Sequence, residues 1–510
     1  MKLKRVTIKN FRGYREKIQI DFDDLTAFVG KNDIGKSSIL EALDIFFNNG
    51  NGTVKLDKDD INKQAVLEED KDIIITACFD ELPSKIVIDA TNETNLAAEY
   101  LLNESDQLEI KKRYSNGGTA KVYIRAIHPT NSICDNLLLK TNKDLQKMID
   151  NDNIDCTDKT RNAVMRQAIW KHYETDLQLE KVEIDVTKGE TKSIWDKLQT
   201  YLPVYSLFQS DRKNTDGDSE VQDPLKEAVK QILNDDKLSA ELADVAQEVE
   251  FKLREVAERT LAKLREMSPE TANSLYPVIP SANSLKWADV FKSVSISGDE
   301  GIPINKRGSG VKRLILLNFF RAEAERRIEN IENASIIYAI EEPETSQHTE
   351  NQRRLIDAFL QLASAPNTQV IITTHSSNIV KKLDFSNLRL IINSGEGKKV
   401  DAVLPGQLPY PSLNEVNYLA FAEITEEYHN ELYGYIEAEG LLNSYKNGRA
   451  TVNYIKIKKN GNTSHENITM TEYIRHQIHH PENNLNPHFL ESDLSDSIQA
   501  MREFIQNIGE

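Results

Sequence analysis

Residues 26–47 read TAFVGKNDIGKSSILEALDIFF, and this stretch decides how the rest of the sequence is interpreted. The apolar run Ala27–Val29 predicts a short buried strand, and the apolar residues from Ile39 onward recur at helical spacing. Between the strand and the helix, Gly30–Ser37 matches the phosphate-loop pattern G-x-x-x-x-G-K-[ST] in full. Strand, glycine-rich loop and helix follow one another in the order that this motif requires.

The loop residues suit a nucleoside triphosphate for physical reasons. Glycines let backbone N–H groups surround an anion, and the N-terminus of the following helix adds a positive end. Lys36 is expected to reach the β- and γ-phosphates, and Ser37 is expected to hold Mg²⁺. We therefore predict ATP and Mg²⁺ as cofactors, with these loop contacts to the nucleotide: Gly30, Asn32, Gly35, Lys36, Ser37 and Ser38.

A second motif offers acidic side chains for the same site. Residues 335–344 read SIIYAIEEPE, in which the apolar run Ile336–Ile340 predicts a buried parallel strand. Glu341 and Glu342 follow at its C-terminal end, where open α/β sheets bind ligands. Successive strand residues point to opposite sides, so the two carboxylates can serve different roles. We predict that Glu341 is a metal ligand and that Glu342 is the catalytic residue that orients the attacking water.

A third strand is predicted at Val370–Thr373 within QVIITTH, which ends in His375. A lone histidine at a strand end is more often a polar cap. Here it stands at the C-terminal end of another predicted parallel strand, at the edge where the paired acids are expected. His375 is therefore predicted to lie beside the γ-phosphate as a second catalytic residue.

Taken together, these motifs resemble those of the ABC-type ATPases of the SMC/RecF/OLD group. The opening KNFRGY (Lys9–Tyr14) is similar to the N-terminal strand motif of that group, and KRGSGVKR (residues 306–313) is similar to its signature motif. AIEEPE looks like the OLD form of the Walker B motif, and TTHS (Thr373–Ser376) looks like the switch-histidine motif. The resemblance covers residues 1 to about 80 and 285 to 395, with the motifs in the order of that group.

The resemblance implies a fold and an assembly. The expected fold class is α/β: an ABC/SMC-type ATPase head split by a helical insertion that contains a short coiled coil, plus a small C-terminal accessory region. Arg12 in the N-terminal motif is expected to contact the nucleotide. Ser309 and Gly310 of one subunit would contact a γ-phosphate bound by Lys36 of another. The expected assembly is a homodimer or a higher oligomer of dimers, which ATP binding closes and hydrolysis releases.

The predicted domain boundaries follow from the motifs and from the composition between them. Residues 1–130 and 285–405 are expected to form the two lobes of the head, and residues 131–284 the helical insertion. Within the insertion, apolar residues recur at three- and four-residue steps over about 238–267, which predicts one long amphipathic helix. The polar stretch 203–225, which contains an acidic run, is expected to be a flexible connector, with a nucleotide-adjacent loop as the alternative.

Composition and charge narrow the range of partners. The chain has 510 residues and a formal net charge of −18, which argues against coating of nucleic acid by the whole surface. DNA contact is expected only at local basic patches, with residues 2–17 as the best candidate; the alternative is a solvated strand edge kept soluble by lysines. The three cysteines are far apart, the basic N-terminus lacks the apolar core of a signal peptide, and no apolar run approaches a membrane span. We therefore expect a cytoplasmic protein without membrane contact.

The C-terminal region, residues 406–510, is predicted to be an accessory or docking tail. It contains six of the ten histidines, and TEYIRHQIHHPENN is its most unusual stretch. Arg475 and His480 fit the R-x4–6-H pattern of HEPN ribonucleases, but Arg166 and His172 fit the same pattern. The tail also lacks the strand-end acids that a Toprim nuclease uses to bind metal. A docking role is favoured, and a ribonuclease is the alternative.

ATPases of this size without a fused Toprim domain resemble the ATPase subunits of bacterial anti-phage systems such as Septu, PARIS and AbiL. That resemblance implies an ATP-driven switch that controls a separate nuclease subunit of the HNH or Toprim type. Two alternatives stay open. One is a HEPN-type ribonuclease toxin regulated by the ATPase, and the other is a RecF-like DNA-repair ATPase, which would expose a continuous basic surface on its head dimer.

Overall fold

The protein is described by a computed structural model, whose backbone divides into two units, residues 1–210 with 323–510 and residues 211–322. The residues that the structure describes are 1–49, 52–89, 92–187, 191–209, 236–267, 335–345, 347–394, 397–403, 408–409, 412–458 and 461–509.

Sixteen strands lie within these described residues. In chain order they are β1 (Lys2–Lys9), β2 (Ile18–Asp21), β3 (Leu25–Val29), β4 (Asp72–Asp80), β5 (Ile86–Asp89), β6 (Asn92–Thr94), β7 (Leu108–Ser115), β8 (Ala120–Pro129), β9 (Leu179–Asp185), β10 (Val204–Phe208), β11 (Ile336–Glu341), β12 (Thr368–Thr374), β13 (Leu388–Ser394), β14 (Gly397–Ala402), β15 (Thr451–Ile457) and β16 (Thr463–Thr469).

The α-helices alternate with these strands in the head and dominate the tail. They are α1 (Lys36–Asn48), α2 (Lys63–Leu67), α3 (Asn142–Asn151), α4 (Asn162–His172), α5 (Thr191–Leu198), α6 (Asp236–Met267), α7 (Thr349–Ala363), α8 (Ser377–Val380), α9 (Leu413–Phe421), α10 (Glu426–Ala438), α11 (Leu442–Lys446), α12 (Met470–His479) and α13 (Glu491–Gly509). Short 3₁₀ turns occupy Lys58–Asp60, Leu137–Leu139, Glu174–Asp176, Gln199–Tyr201 and Phe385–Asn387. Among the described helices, none combines the length and the apolar character that crossing a bilayer requires.

The strand before the glycine-rich loop, β3, lies inside a six-stranded sheet with the order β10-β11-β12-β3-β13-β14. The first five strands run parallel, and β14 pairs antiparallel with β13. Every residue of β3 is buried, and so are the first five residues of β11, as expected for strands covered on both faces. The three buried strands predicted from the sequence, and the α/β fold class, are therefore confirmed.

A second six-stranded sheet has the order β2-β1-β4-β7-β8-β9, and all its neighbouring strands run antiparallel. Helix α1 joins it to the parallel sheet through one hydrophobic core. Ile39, Leu43 and Phe46 of α1 belong to the same core as Ile75 of β4 and Ile337 of β11. The helix that follows the glycine-rich loop is thus held by residues of both sheets.

Two strands come from the stretch 131–284, for which the sequence predicts a helical insertion. β9 pairs with β8 in the antiparallel sheet, and β10 pairs with β11 as the outer strand of the parallel sheet. The prediction that 203–225 is a flexible connector is wrong over Val204–Phe208. Tyr205 and Phe208 are buried against the sheet, and this burial outweighs the polar character of the residues that follow. Residues 210–225 lie outside the described part of the chain.

The long helix predicted at about 238–267 is confirmed as α6, which begins at Asp236 and ends at Met267. Its 32 residues extend roughly 48 Å at a rise of about 1.5 Å per residue. Ion pairs at i, i+4 spacing support it on its exposed side, for example Arg254 with Glu250 at 3.0 Å.

The C-terminal region has a hydrophobic core of its own. Helices α10, α12 and α13 contribute Leu432, Ile474 and Ile498 to it, together with several tyrosines. Strands β15 and β16 form an antiparallel hairpin between α11 and α12. The first of these strands, β15, covers Thr451–Ile457, where apolar and polar residues alternate as a half-buried strand requires.

Candidate nucleotide-binding site

The register of the parallel sheet brings the predicted site residues to one edge. The last residues of neighbouring strands pair as follows: Val29 with Thr374, Thr373 with Glu341, and Ile340 with Phe208. Gly30, Glu342 and His375 therefore follow directly after β3, β11 and β12 at the same edge. The loop, the paired acids and the histidine, which are far apart in sequence, meet there.

The glycine-rich loop turns sharply between β3 and α1. Gly30 has a φ of 156° and Gly35 a φ of 111°, which are values that side chains with a Cβ rarely allow. At Gly30 a Cβ atom would also come within 3.0 Å of the carbonyl oxygen of Ile391. The first turn of α1, which begins at Lys36, leaves N–H groups without helical acceptors. The loop therefore presents backbone donors to an anion.

Lys36 is buried although it is the cation that the loop needs. Its ammonium group donates to the carbonyl oxygens of Gly30 at 2.7 Å and Lys31 at 2.9 Å. Burial lowers the pKa of Lys36, and nearby carboxylates oppose that shift. These carboxylates belong to Glu342, Glu344, Asp33 and Glu341. A phosphate beside the ammonium group would favour its charged form in the same way.

The two predicted metal ligands are in direct contact. The Ser37 hydroxyl donates to Oε1 of Glu341, which links the first turn of α1 to the end of β11 across the intervening strand β12. A hydroxyl and a carboxylate are the oxygen ligands that Mg²⁺ prefers, so the residues fit the predicted metal. Of the other predicted loop contacts, Asn32 is exposed and Ser38 is half-buried in the first turn of α1.

Glu342 stands at a strained turn beside His375. Its φ is 40°, a value that is uncommon for a residue other than glycine. The turn is held by the Glu342 N–H group, which donates to the carbonyl oxygen and to the hydroxyl of Thr373, each at 3.1 Å. Oε1 of Glu342 lies 3.4 Å from Nδ1 of His375. Such strain persists where the surrounding structure fixes it, which is common at functional sites.

A third acid, Glu344, completes this cluster, and the sequence alone assigned it no role. Its side chain is 3% exposed, and its Oε1 accepts from the Thr374 hydroxyl at 2.8 Å and from the His375 N–H group at 2.9 Å. The sequence signal was the last letter of AIEEPE. Only the pairing of β11 with β12 reveals that this residue faces the histidine.

Arg12 lies beside α1, the helix that follows the phosphate loop. Its guanidinium group donates to Glu41 of α1 and to Asp60, the latter at 2.7 Å, and its backbone N–H group donates to the Asp60 carbonyl oxygen. Arg12 is thereby fixed next to α1 with two protein carboxylates as partners. Its predicted contact with the nucleotide stays a prediction.

Gln209 is a further polar residue at this edge that sequence reasoning missed. It follows β10 directly, and its side-chain amide donates to Glu41 at 2.9 Å. Because Glu41 also accepts from Arg12, this one carboxylate holds two polar side chains against α1. Burial raises the pKa of Glu41, and the nearby charge of Arg12 opposes that shift. The apolar run VYSLF before Gln209 was the available signal. A strand prediction there would have placed Gln209 at the edge.

Tyr14 and Lys398 pack against the loop near Gly35. The Tyr14 hydroxyl donates to the Gly35 carbonyl oxygen at 3.0 Å, and Nζ of Lys398 lies 5.8 Å from the centroid of the Tyr14 ring. Burial lowers the pKa of Lys398, and Asp33 of the loop opposes that shift. A second ammonium group therefore lies near the phosphate loop. Sequence reasoning missed it because only the pairing of β14 with β13 brings it there.

The predicted signature motif, residues 306–313, lies outside the described residues. Its two predicted nucleotide contacts, Ser309 and Gly310, therefore stay predictions. The same holds for the dimer that they imply.

The basic patch at residues 2–17 is largely neutralised by ion pairs within the chain. Most of its cations lie close to a carboxylate: Lys2 to Asp24, Arg5 to Asp21, Lys9 to Asp70, Arg12 to Asp60 and Arg15 to Glu68. The patch therefore offers DNA less uncompensated charge than the sequence alone suggests.

In the tail, Arg475 and His480 have different partners. The Arg475 guanidinium group lies 4.2 Å from the centroid of the Tyr433 ring and 3.2 Å from Glu437. His480 directly follows α12 as its C-cap, and its Nδ1 lies 3.2 Å from Glu482. Each member of the R-x4–6-H pair thus has an acidic partner of its own.

Comparison with solved structures finds SMC head domains. The SMC head bound to the C-winged helix domain of ScpA is 14% identical, with a TM-score of 0.37, over 79% of this chain and 97% of that chain. The SMC head domain from Thermotoga maritima is 12% identical, with a TM-score of 0.33, over 79% of this chain and 100% of that chain. An SMC head with an extended coiled coil, bound to the C-terminal domain of ScpA from Pyrococcus furiosus, is 14% identical, with a TM-score of 0.34, over 78% and 96%.

No curated protein matches the sequence. The family model described as AAA ATPase domain matches residues 1–380, which is more than half of the 510 residues. The matched residues include the phosphate loop, the acids that follow β11, and His375. The chain therefore belongs to the AAA_15 family of AAA ATPase domains.

Proposed function

We propose that this protein binds ATP with Mg²⁺, hydrolyses it, and uses the cycle as a molecular switch. The observation that carries the proposal is the convergence of two pairs at one sheet edge. The Ser37 hydroxyl meets Glu341, and the Glu342 carboxylate lies 3.4 Å from His375. Nucleotide binding is also what an AAA ATPase domain implies.

In this proposal the cationic and N–H groups of the site bind phosphate, and its carboxylates bind Mg²⁺ and the attacking water. Lys36 binds the β- and γ-phosphates, and the N–H groups of the loop and of the first turn of α1 bind their oxygens. Ser37 and Glu341 hold Mg²⁺, which neutralises phosphate charge when bound. Glu342 orients the attacking water and accepts its proton. His375 fixes the Glu342 carboxylate from the neighbouring strand end.

The test of this assignment is the Mg²⁺ dependence of ATP affinity, measured by isothermal titration calorimetry. The wild type is expected to bind ATP at least about tenfold more tightly with Mg²⁺ than with EDTA, a difference of about 1.4 kcal/mol. Ser37→Ala and Glu341→Gln should lose most of that difference. Ser105→Ala, at an exposed position outside the site, is the matched control and should keep it. Equal wild-type affinities in the two buffers would refute the metal assignment.

The same proposal extends to the role of the chain in a larger assembly: an ATPase subunit of a bacterial anti-phage system whose tail docks a separate nuclease of the HNH or Toprim type. The motif resemblance supports this role. The contacts of Arg475 with Glu437 and Tyr433 also favour docking over RNA cleavage. A ribonuclease would need the Arg475 guanidinium group to bind an RNA phosphate, and here that group already pairs with Glu437 and packs on Tyr433. The ion pairing of residues 2–17 argues against the continuous basic surface of a RecF-like clamp.

Incubation of the purified chain with tRNA and ATP tests the docking role against the ribonuclease alternative. Neither the wild type nor a variant with Arg475→Ala and His480→Ala is expected to cleave RNA, and both should hydrolyse ATP equally. Cleavage by the wild type that the double substitution abolishes would show that the protein carries its own ribonuclease.

A further inference from the structure

Glu344 is a buried acid that has no role in the ATP hydrolysis proposed above. Its carboxylate lies at the end of β11, close enough to Lys36 to oppose the effect of burial on the pKa of that lysine. Oε1 has hydrogen-bond partners, but Oε2 is buried and has none among the residues that the structure describes. A half-satisfied carboxylate is an expensive group to bury, so its presence at the sheet edge calls for a physical reason.

The contacts of Oε1 point to that reason. It accepts from the Thr374 hydroxyl and from the His375 N–H group, and thereby ties the end of β11 to the residues that end and follow β12. Nδ1 of His375 lies 3.4 Å from Oε1 of Glu344 and 3.4 Å from Oε1 of Glu342. The imidazole is therefore placed between two carboxylates, one buried and one at the predicted water site.

The two carboxylates, of Glu342 and Glu344, differ in the solvent exposure of their side chains. The side chain of Glu342 is 24% exposed and that of His375 is 40% exposed, whereas that of Glu344 is 3% exposed. Glu342 and His375 can thus reach a nucleotide and its water. Glu344 can reach only the protein groups that hold them.

We propose that Glu344 is a positioning residue for His375. By anchoring the Thr374 hydroxyl and the His375 backbone, it fixes the imidazole where Nδ1 meets Glu342. The inference rests on the proposed function of the site, because the effect of this positioning on catalysis exists only if Glu342 and His375 serve ATP hydrolysis.

The experiment compares Glu344→Ala, Glu344→Gln and His375→Ala in the full chain. Glu344→Ala is expected to lower kcat about tenfold or more, with the KM for ATP and the affinity for a fluorescent ATP analogue within about twofold of wild type. Glu344→Gln should restore most of kcat, since its amide oxygen can accept the same two hydrogen bonds. Glu350→Ala, at an exposed position on α7, is the matched control and should behave as wild type.

A double-substitution cycle separates positioning from a general loss of structure. If Glu344 acts through His375, then Glu344→Ala should slow turnover no further in the His375→Ala background. A second full loss in that background would overturn the proposal. So would unchanged kcat in Glu344→Ala.

Selective ¹⁵N-histidine labelling gives a readout that does not depend on turnover. The His375 amide signal, identified by its absence in His375→Ala, should move upfield in Glu344→Ala because its carboxylate acceptor is gone, and the other histidine amides should not. A stationary signal would overturn the positioning contact. If the wild type shows no ATP turnover but the signal moves, the proposed function fails and the contact between Glu344 and His375 stands.

Discussion

Helix α1 has a buried lysine at each end, and the two lysines relate to the helix in opposite ways. Lys36 begins the helix and is 4% exposed, while Lys112 of β7 reaches its C-terminal end and is 1% exposed. The Lys112 ammonium group donates to the carbonyl oxygen of Phe46 at 2.6 Å and to the side-chain oxygen of Asn49. Burial lowers the pKa of both lysines.

The helix favours one of these cations and disfavours the other. The partial negative charge at a helix C-terminus stabilises a cation such as Lys112, which also lies 4.7 Å and 5.4 Å from the ring centroids of Phe46 and Trp195. The N-terminus carries the opposite partial charge, so Lys36 stands where the helix repels it. We infer that Lys112 serves the fold. Lys36 is held by two loop carbonyls and nearby carboxylates at a helix end that also favours an anionic ligand.

Substitution of Lys36, at the N-terminal end of α1, should give the largest effect, and that effect should be on ATP binding. Lys36→Ala is expected to weaken ATP affinity at least about a hundredfold, or about 2.7 kcal/mol, because the phosphates lose their buried cation. Calorimetry measures the affinity, and thermal unfolding should change little. Lys63→Ala on α2, at an exposed position, is the matched control. A large loss of stability with retained affinity would reverse the roles assigned to the two lysines.

Substitution of Lys112, which contacts the C-terminal end of α1, should instead lower the stability of the fold. Lys112→Met keeps most of the apolar stem but leaves the Phe46 carbonyl and the Asn49 side chain without their donor. The free energy of unfolding should fall by about 2 kcal/mol, measured by urea titration, while ATP affinity stays the same in the folded protein. Lys121→Ala, at an exposed position on β8, should have no such effect. Weaker ATP binding with normal stability would contradict the comparison.

The smallest expected effect is a pH dependence that separates wild type from Lys112→Met. Burial lowers the pKa of Lys112 from 10.5 to about 7, so above pH 7 the unfolded chain binds more protons at this site than the folded chain. Stability from this group therefore rises with pH between about 7 and 10.5, by about 1 kcal/mol from pH 7 to pH 8. Urea titrations at the two pH values should show this gain in wild type relative to Lys112→Met. Parallel pH profiles would mean that Lys112 does not titrate in this range.

The sequence predicted well what depends on local pattern. The phosphate loop, the buried runs of β3, β11 and β12, and the long helix α6 all have the spacing that their final structure requires. Ser37 and Glu341, which the sequence predicts to bind Mg²⁺, lie in contact because parallel strands place their C-terminal ends at one edge.

What the sequence did not predict depends on register between distant segments. β10 was missed because its five residues are followed by a long polar stretch, and with it Gln209 was missed. Lys398 and Lys112 approach the two ends of α1 from strands that lie far from it in sequence, so no local pattern marks them. Glu344 was visible as an acid, but its role depends on burial against β12, which spacing alone does not give.

The central claim is that this edge of the sheet hydrolyses ATP, and phosphate release by wild type and by Glu342→Gln tests it most directly. The account predicts that the variant binds ATP as tightly as wild type and releases phosphate at least about a hundredfold more slowly, because the water loses its base. Equal rates of phosphate release in the two proteins would contradict it.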